Sequence, residues 1–225
     1  MINYVIDPHT TIFSGPTNCG KTQRVLDLIE KEYEHHFENI VILCPTIRWN
    51  RTYIERPWIW RLGYDDYVFV FEPKENLFKL IEKLSESFAN EETLFIVDDM
   101  IADEAFDKRR QPLLELAISG RHRKHSLWLL TQCYTALPKN LRRQKKQLFV
   151  WYGKSDLEMI DKETNLMTSE DLAEVNDKLK QKEHAYLYVR LKHPRTFKVL
   201  WLYTKHNQIN GTSHKVKKRR SSCCR

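Results

Sequence analysis

Gly15-Pro16-Thr17-Asn18-Cys19-Gly20-Lys21-Thr22 sets two glycines, with four residues between them, directly ahead of Lys and Thr. A polyphosphate needs those residue types in that pattern. Glycines let backbone N–H groups turn toward phosphate oxygens, the Lys21 ammonium reaches the outer phosphates, and the Thr22 hydroxyl can hold Mg2+. An apolar run, about Thr11 to Ser14, precedes the loop, and Val25, Leu28, Ile29 and Tyr33 follow at helical spacing. The octapeptide therefore joins a strand to a helix and sets phosphates against the positive end of that helix. An ordinary glycine turn needs neither flank. Each position from Gly15 to Thr22 is a candidate nucleotide contact, with Lys21 also catalytic and Thr22 also a metal ligand.

Strands and helices alternate through the rest of the chain. Asn39 to Cys44 reads as a buried strand and Tyr67 to Phe71 as another, while Leu77, Leu80, Ile81, Leu84 and Phe88 form a helical core stripe. Thr93 to Val97 is an apolar strand, and Leu113 to Ile118 a helix with Pro112 suited to its first turn and Gly120 to its end. Ser126 to Thr131 and Gln147 to Tyr152 repeat the strand pattern. A helix from Ser169 to Lys182, opened by Thr168, precedes strands over Ala185 to Arg190 and Phe197 to Tyr203. This alternation predicts an α/β fold with a mainly parallel sheet and helices on both faces. Between the second and third strands, Pro45 to Asp66 interleaves Trp49, Trp58 and Trp60 with Arg48, Arg51, Arg56 and Arg61. That composition suits either a long insertion packed on the body or stacking on nucleic acid.

The 225 residues can bury one sizeable core, so residues 1–204 read as one nucleotide-binding domain and residues 205–225 as a basic tail of disordered composition. Six Lys or Arg and no acid fall between His214 and Arg225; without them the net charge drops from +7 to +1. The near-neutral body still clusters its bases, in Lys108-Arg109-Arg110, in Arg121-His122-Arg123-Lys124 and in Arg142-Arg143 with Lys145-Lys146. Several patches plus a basic tail point to a polyanionic partner. Lys215-Val216-Lys217-Lys218-Arg219-Arg220 fits either a DNA-backbone tether or a nuclear-import patch. No run of eighteen apolar residues occurs, and no charged segment followed by an apolar one opens the chain, so membrane insertion is not expected. Five cysteines, three of them in or beside strands or the loop, predict a reducing compartment. Cys223 and Cys224 lie too near the end for a prenylation box.

The strand Thr93 to Val97 delivers Asp98 and Asp99 at its C-terminal end, where open α/β sheets bind ligands. This is a Walker B arrangement to match the Walker A loop. Asp98 is assigned to the Mg2+ shell and Asp99 to the attacking water, although Asp99 is shorter than the Glu of many such enzymes. The strand Ser126 to Thr131 ends in Gln132. If that strand lies between the loop strand and the Walker B strand, Gln132 senses the γ-phosphate and the core is a RecA-like, additional-strand P-loop NTPase.

The order of these pieces resembles the small DNA-packaging ATPases of poxviruses, other large DNA viruses, virophages and Polinton-type elements, in the FtsK–HerA branch. The resemblance rests on Gly15 to Thr22, Cys44-Pro45-Thr46 with Trp49 nearby, Asp98-Asp99, Gly120-Arg121-His122, Leu130-Thr131-Gln132, and Leu137-Pro138 with Arg142, over about Asn3 to Tyr203. It implies an ATP- and Mg2+-dependent homo-oligomeric ring that moves double-stranded DNA into preformed capsids. It also implies an intracellular site of action, in the host cytoplasm (a virus factory) or nucleus. Such a ring completes each nucleotide site with a neighbour's Arg, for which Arg121, Arg123, Arg142 and Arg143 are candidates, Arg121 and Arg142 foremost. A helicase or partition motor shares these motifs. A nucleoside or nucleotide kinase would add a zinc ribbon or an Arg-rich lid, neither of which is recognisable, and a nucleotide-controlled switch would bind without turnover.

Overall fold

A computed structural model describes residues 2, 4–60, 67–72, 77–99, 111–202 and 213–214. Arg61, the run Lys108-Arg109-Arg110, Tyr203, Lys215 to Arg220 and the pair Cys223-Cys224 lie outside the described residues. The chain runs β1 (Thr10–Ser14), α1 (Lys21–Lys31), β2 (Asn39–Leu43), α2 (Arg51–Ile54), α3 (Pro57–Trp60), β3 (Val68–Phe71), α4 (Leu77–Ser87) and β4 (Thr93–Asp98). It continues with α5 (Gln111–Ser119), β5 (His125–Thr131), α6 (Lys139–Arg142), β6 (Lys145–Trp151), α7 (Lys154–Thr164), α8 (Ser169–Gln181), β7 (Ala185–Arg190), β8 (Thr196–Trp201) and β9 (Ser213–His214). Short 3-10 turns at Gly120–Arg123 and Tyr134–Ala136 flank β5.

One sheet carries the fold, in the order β3-β2-β4-β5-β1-β6-β7-β8-β9. Every neighbouring pair from β3 to β6 is parallel, and β6 through β9 pair antiparallel. The expected α/β architecture is therefore present, and β5 does lie between the loop strand β1 and the Walker B strand β4. Of the antiparallel pairs, β7–β8 follows from a tight reversal: five residues join the two strands, too few for a parallel crossover. Ser213 and His214, within the stretch read as a tail, pair with β8.

Alternation along each strand sends its side chains to two cores. On β5, Leu127 and Leu129 face one layer, whereas Trp128 and Leu130 face the other. The first layer is largely aliphatic and is closed by α4, α5 and α8, whose Ile81, Leu113, Leu116, Val175 and Leu179 join Phe95 and Val97. The second is aromatic. Phe13 stacks on Phe149 at 4.6 Å, and Tyr33 and Phe37 meet Trp128 edge-on. Val25, Leu26, Leu28 and Ile29 of α1 close this layer, so the helix that follows the loop is fixed to the strands beneath it.

Sequence periodicity does not reveal α7. Its polar turns bury only Asp156, Leu157, Ile160 and Thr164, too weak an apolar stripe to stand out. Helix α8 opens with a capping box in which Thr168 and Asp171 satisfy each other's backbone N–H, matching the N-cap expected there. Cys19, Cys44 and Cys133 are free thiols. Among the described residues no helix is long and apolar enough to cross a membrane.

Trp128 is fully buried at the junction of α1 and the central strands. Trp128→Ala should lower unfolding stability by roughly 3–5 kcal/mol, read from denaturant midpoints, because the rigid sheet cannot collapse into the space left.

Candidate functional site

The glycine loop is shaped by what surrounds it. Gly15 N–H donates to Thr131 O (3.1 Å), and a Cβ at position 15 would stand 2.6 Å from Cβ of Trp151 on the neighbouring strand. Gly20 has φ +100°, and a Cβ there would meet Leu202 Cδ1 at 2.4 Å. One glycine is required by close approach, the other by backbone conformation as well. Asn18 takes φ +62°, which Asn tolerates better than most residues. Because Gly20 offers no side-chain cap to α1, the first-turn N–H groups of that helix are left for an acceptor from outside the chain. Lys21 Nζ arches back over the loop and donates to Gly15 O (2.7 Å) and Pro16 O (2.9 Å).

Thr17, Asn18, Gly20, Lys21 and Thr22 line a cleft of about 260 Å3, whereas Gly15, Pro16 and Cys19 shape the loop behind it. Burial pushes the Cys19 thiol up, against the opposing charge of Lys21, so it packs as a neutral group. Across the cleft stand Asp98, Asp99 and Gln132; Thr46, Asn50 and Thr52 form a third wall between β2 and α2.

Asp98 ends β4 and is 5% exposed. Its Oδ2 accepts hydrogen bonds from Thr22 Oγ1 (3.2 Å) and from the Tyr53 hydroxyl (2.9 Å). Burial pushes its carboxyl above the usual carboxylate range; those two bonds and the charge of Lys21 oppose the shift, and Asp99 adds to it. Asp99 leaves the strand at φ +54° and is exposed, and Gln132 Nε2 donates to its Oδ1 (2.9 Å). The residues expected to carry chemistry at three strand ends thus meet at one edge.

Behind Gln132 a buried carboxylate fixes the chain. Asp156 accepts from Ser14 Oγ (2.9 Å), Tyr134 N (2.7 Å) and Thr135 N (3.4 Å), linking the end of β1 to the turn after β5. No motif marked Asp156 or Tyr53. Each acts through a partner more than twenty residues away, and the only hint was that Tyr53 falls in the Trp- and Arg-rich insertion.

Of the Arg candidates, Arg142 is held within its own chain. Its guanidinium is buried, with Nε and Nη2 on Glu163 Oε1 (2.9 and 2.8 Å) and Nη1 on Thr135 O (3.2 Å) and Leu137 O (2.7 Å). Bound in this way it clamps the turn after Gln132. Arg123 donates to Ser85 Oγ (3.1 Å). Arg121 and Arg143 are exposed. Arg121 sits before the N-terminal end of β5, the sheet edge opposite the loop. The insertion also divides: Arg56 pairs with Asp27 (3.2 Å) and Glu30 (2.7 Å) and Trp58 Nε1 donates to Glu30 (2.8 Å), so both pack on α1, while Trp49 is 82% exposed.

A family model described as "Poxvirus A32 protein" matches residues 3–192. Among solved structures, the genome packaging NTPase B204 of Sulfolobus turreted icosahedral virus 2 in complex with sulfate is similar at TM-score 0.62 and 17% identity, covering 89% of this chain and 99% of that one. The same protein with AMP gives 0.58 and 18%, over 87% and 98%. The pCW3 conjugation coupling protein TcpA with ATPγS gives 0.54 and 10%, over 85% of this chain and 60% of that one. These likenesses show the P-loop ATPase fold. No match was found among curated proteins.

The clamp on Arg142 sets a pH dependence. Burial raises the Glu163 carboxyl, but the bonds from Tyr134 and Arg142 and the charges of Lys145 and Arg142 outweigh it and hold the group below the usual carboxylate range. A carboxyl depressed by folding stabilises the fold above its unfolded pKa and loses that contribution as pH falls through the folded value. Glu163→Gln should therefore lower the melting temperature at neutral pH by on the order of 5 °C. The gap to wild type should close as melts are taken to pH below about 4.

Proposed function

The chain belongs to the poxvirus A32 protein family, and from that membership and the geometry of its cleft we propose that it is an ATP-hydrolysing translocase that packages a viral or virus-derived double-stranded DNA genome into capsids. The observation that carries the reading is a convergence. Adjacent parallel strands β4, β5 and β1 end at one edge, where Thr22 meets Asp98 and Gln132 meets Asp99 across a cleft floored by the glycine loop.

In this reading the backbone N–H groups of the loop and the first turn of α1 bind the phosphates of ATP, and Lys21 turns from the loop carbonyls to the outer phosphates. Thr22 and Asp98 supply oxygen ligands suited to Mg2+, and among the described residues no cluster of three or more His, Cys, Asp or Glu suggests a different metal. Bound Mg2+ would neutralise charge developing on the β- and γ-phosphate oxygens. Asp99 orients the attacking water and takes its proton, and Gln132, bonded to Asp99, holds that carboxylate in line and reports the γ-phosphate.

Genome packaging is the role under which the B204 structures are described, and it extends to this chain as part of the proposal. The working unit is a homo-oligomeric ring on duplex DNA, seated on capsid protein in a cytoplasmic virus factory or the nucleus. Arg121 is the residue that reaches a neighbour's site. The seven residues of β5 set it roughly 20 Å from its own loop, so it serves no nucleotide in its own cleft.

The deciding measurement is ATP hydrolysis with and without duplex DNA over a range of protein concentrations. Stimulation by DNA and a steep rise with concentration are expected, without strand separation. Flat concentration dependence would exclude a ring, phosphate transfer to a nucleoside would make the protein a kinase, and binding without turnover would make it a switch. Lys21→Ala should abolish nucleotide binding. Asp99→Asn should keep binding and lose about 10²- to 10⁴-fold in kcat. Arg121→Ala and Lys21→Ala chains, each inactive alone, should recover hydrolysis when co-assembled; with mixing verified, no recovery would remove Arg121 from the shared site.

A further inference from the structure

The segment between β2 and β3 has no part in the hydrolytic steps above, yet it forms one wall of the cleft and bonds to Asp98. It is fastened to α1 by Arg56 and Trp58, as described, and braced internally by Asn50 Oδ1, which accepts from Thr52 N (3.1 Å), and by Trp60 Nε1, which donates to Tyr53 O (2.9 Å). These contacts deliver Tyr53, fully buried, with its hydroxyl on Asp98 Oδ2 at 2.9 Å.

Core packing does not account for that hydroxyl. A buried phenol needs a hydrogen-bond partner, whereas Phe would fill the same space without one. Here the partner is the carboxylate at the end of the Walker B strand. Thr22 Oγ1 donates to the same oxygen, from a different element. A carboxylate with one donor can turn about its Cβ–Cγ bond; two donors converging on Oδ2 hold its plane. Oδ1, which receives no hydrogen bond from the described residues, is left for the cleft. The Thr22 hydroxyl has one proton and two lone pairs, so it can donate to Asp98 while a lone pair faces a cation. Tyr53 supplies the second donor and touches nothing that reacts.

We propose that Tyr53 is a positioning residue that orients Asp98 toward a divalent cation, so that the insertion between β2 and β3 tunes cation affinity at the nucleotide site. The inference rests on the cation-site reading given under Proposed function. Groups that hold a metal's protein ligand in place typically change metal affinity or activity by about 10- to 100-fold when removed.

The test uses the full chain and Tyr53→Phe, which keeps the ring. ATPγS binding is measured by calorimetry, first in EDTA and then across a Mg2+ titration, with thermal melts to verify folding. The expected result is unchanged ATPγS affinity in EDTA and a Mg2+ half-saturation raised about tenfold. In an Asp98→Asn background, Tyr53→Phe should add no further shift. A folded Tyr53→Phe chain with wild-type Mg2+ half-saturation would overturn the inference, and so would a shift that persists in the Asp98→Asn background. Wild-type binding indifferent to Mg2+ would instead overturn the cation-site reading itself. Should Tyr53→Phe melt too low to titrate, fluorotyrosine placed at position 53 of the otherwise wild-type chain keeps the question open to test. Its fluorine resonance should move when Mg2+ is added to the ATPγS complex, and a resonance that stays fixed counts against the inference.

Discussion

Parallel pairing of β4, β5 and β1 is the constraint from which the rest of the molecule follows. Parallel strands place all their C-terminal ends on one edge, so the residues just beyond them are gathered whatever their separation in sequence. Ser14 stands opposite Thr131, and Asp98 opposite Leu130, so the loop, the paired carboxylates and Gln132 start one strand apart. A slip of one residue in either ladder would turn Asp98 or Ser14 to the opposite face of the sheet. Two-sided burial prevents it, because Trp128 and Leu129 occupy different cores and cannot exchange.

Close approach at the loop is the counterpart of that register. Gly15 sits against Trp151 because β1 is flanked by β6 on one side and hydrogen-bonded to β5 on the other. The glycine that opens the loop is therefore a packing residue of the sheet. Gly20 differs: its left-handed backbone turns the chain into α1. The motif joins two requirements, one from the sheet and one from the helix N-terminus.

Two carboxylates away from the cleft, Asp156 buried and Glu163 half-buried, do comparable work for the β5 exit. Asp156 and Glu163, on the inner side of α7, collect donors from Ser14, Tyr134, Thr135, Arg142 and Lys145. Each is satisfied by several donors, which a buried charge needs if it is to avoid an uncompensated desolvation penalty. They lock the backbone that follows Gln132 to the strand that precedes the glycine loop. Asp156 thereby joins the end of β1, which leads into the glycine loop, to the turn after Gln132 through one side chain.

Much of this protein was legible from its residues in order. The Gly15 to Thr22 loop, the Asp98-Asp99 pair, the alternation that makes the sheet parallel, and the Thr168 cap are local patterns, readable because each is set by neighbours within a few positions. The place of β5 between β1 and β4 entered only as a condition, since strand order depends on which crossovers pack. Helix α7 is not legible in the sequence because its buried apolar stripe is only Leu157 and Ile160. Arg142 looked like a charge available to a neighbour; Glu163 and the carbonyls of Thr135 and Leu137 turn it inward. Arg56, Trp58 and Trp49 share one composition, but α1 takes the first two and leaves the third exposed. Tyr53 had no signature, because its meaning lies in one hydrogen bond across forty-five residues. The sequence by itself determined the ligand class and the class of fold, since backbone conformation and strand ends are encoded locally. Only the tertiary structure decided which charged groups line the cleft and which basic and aromatic groups pack away from it, because that depends on partners brought together by the sheet.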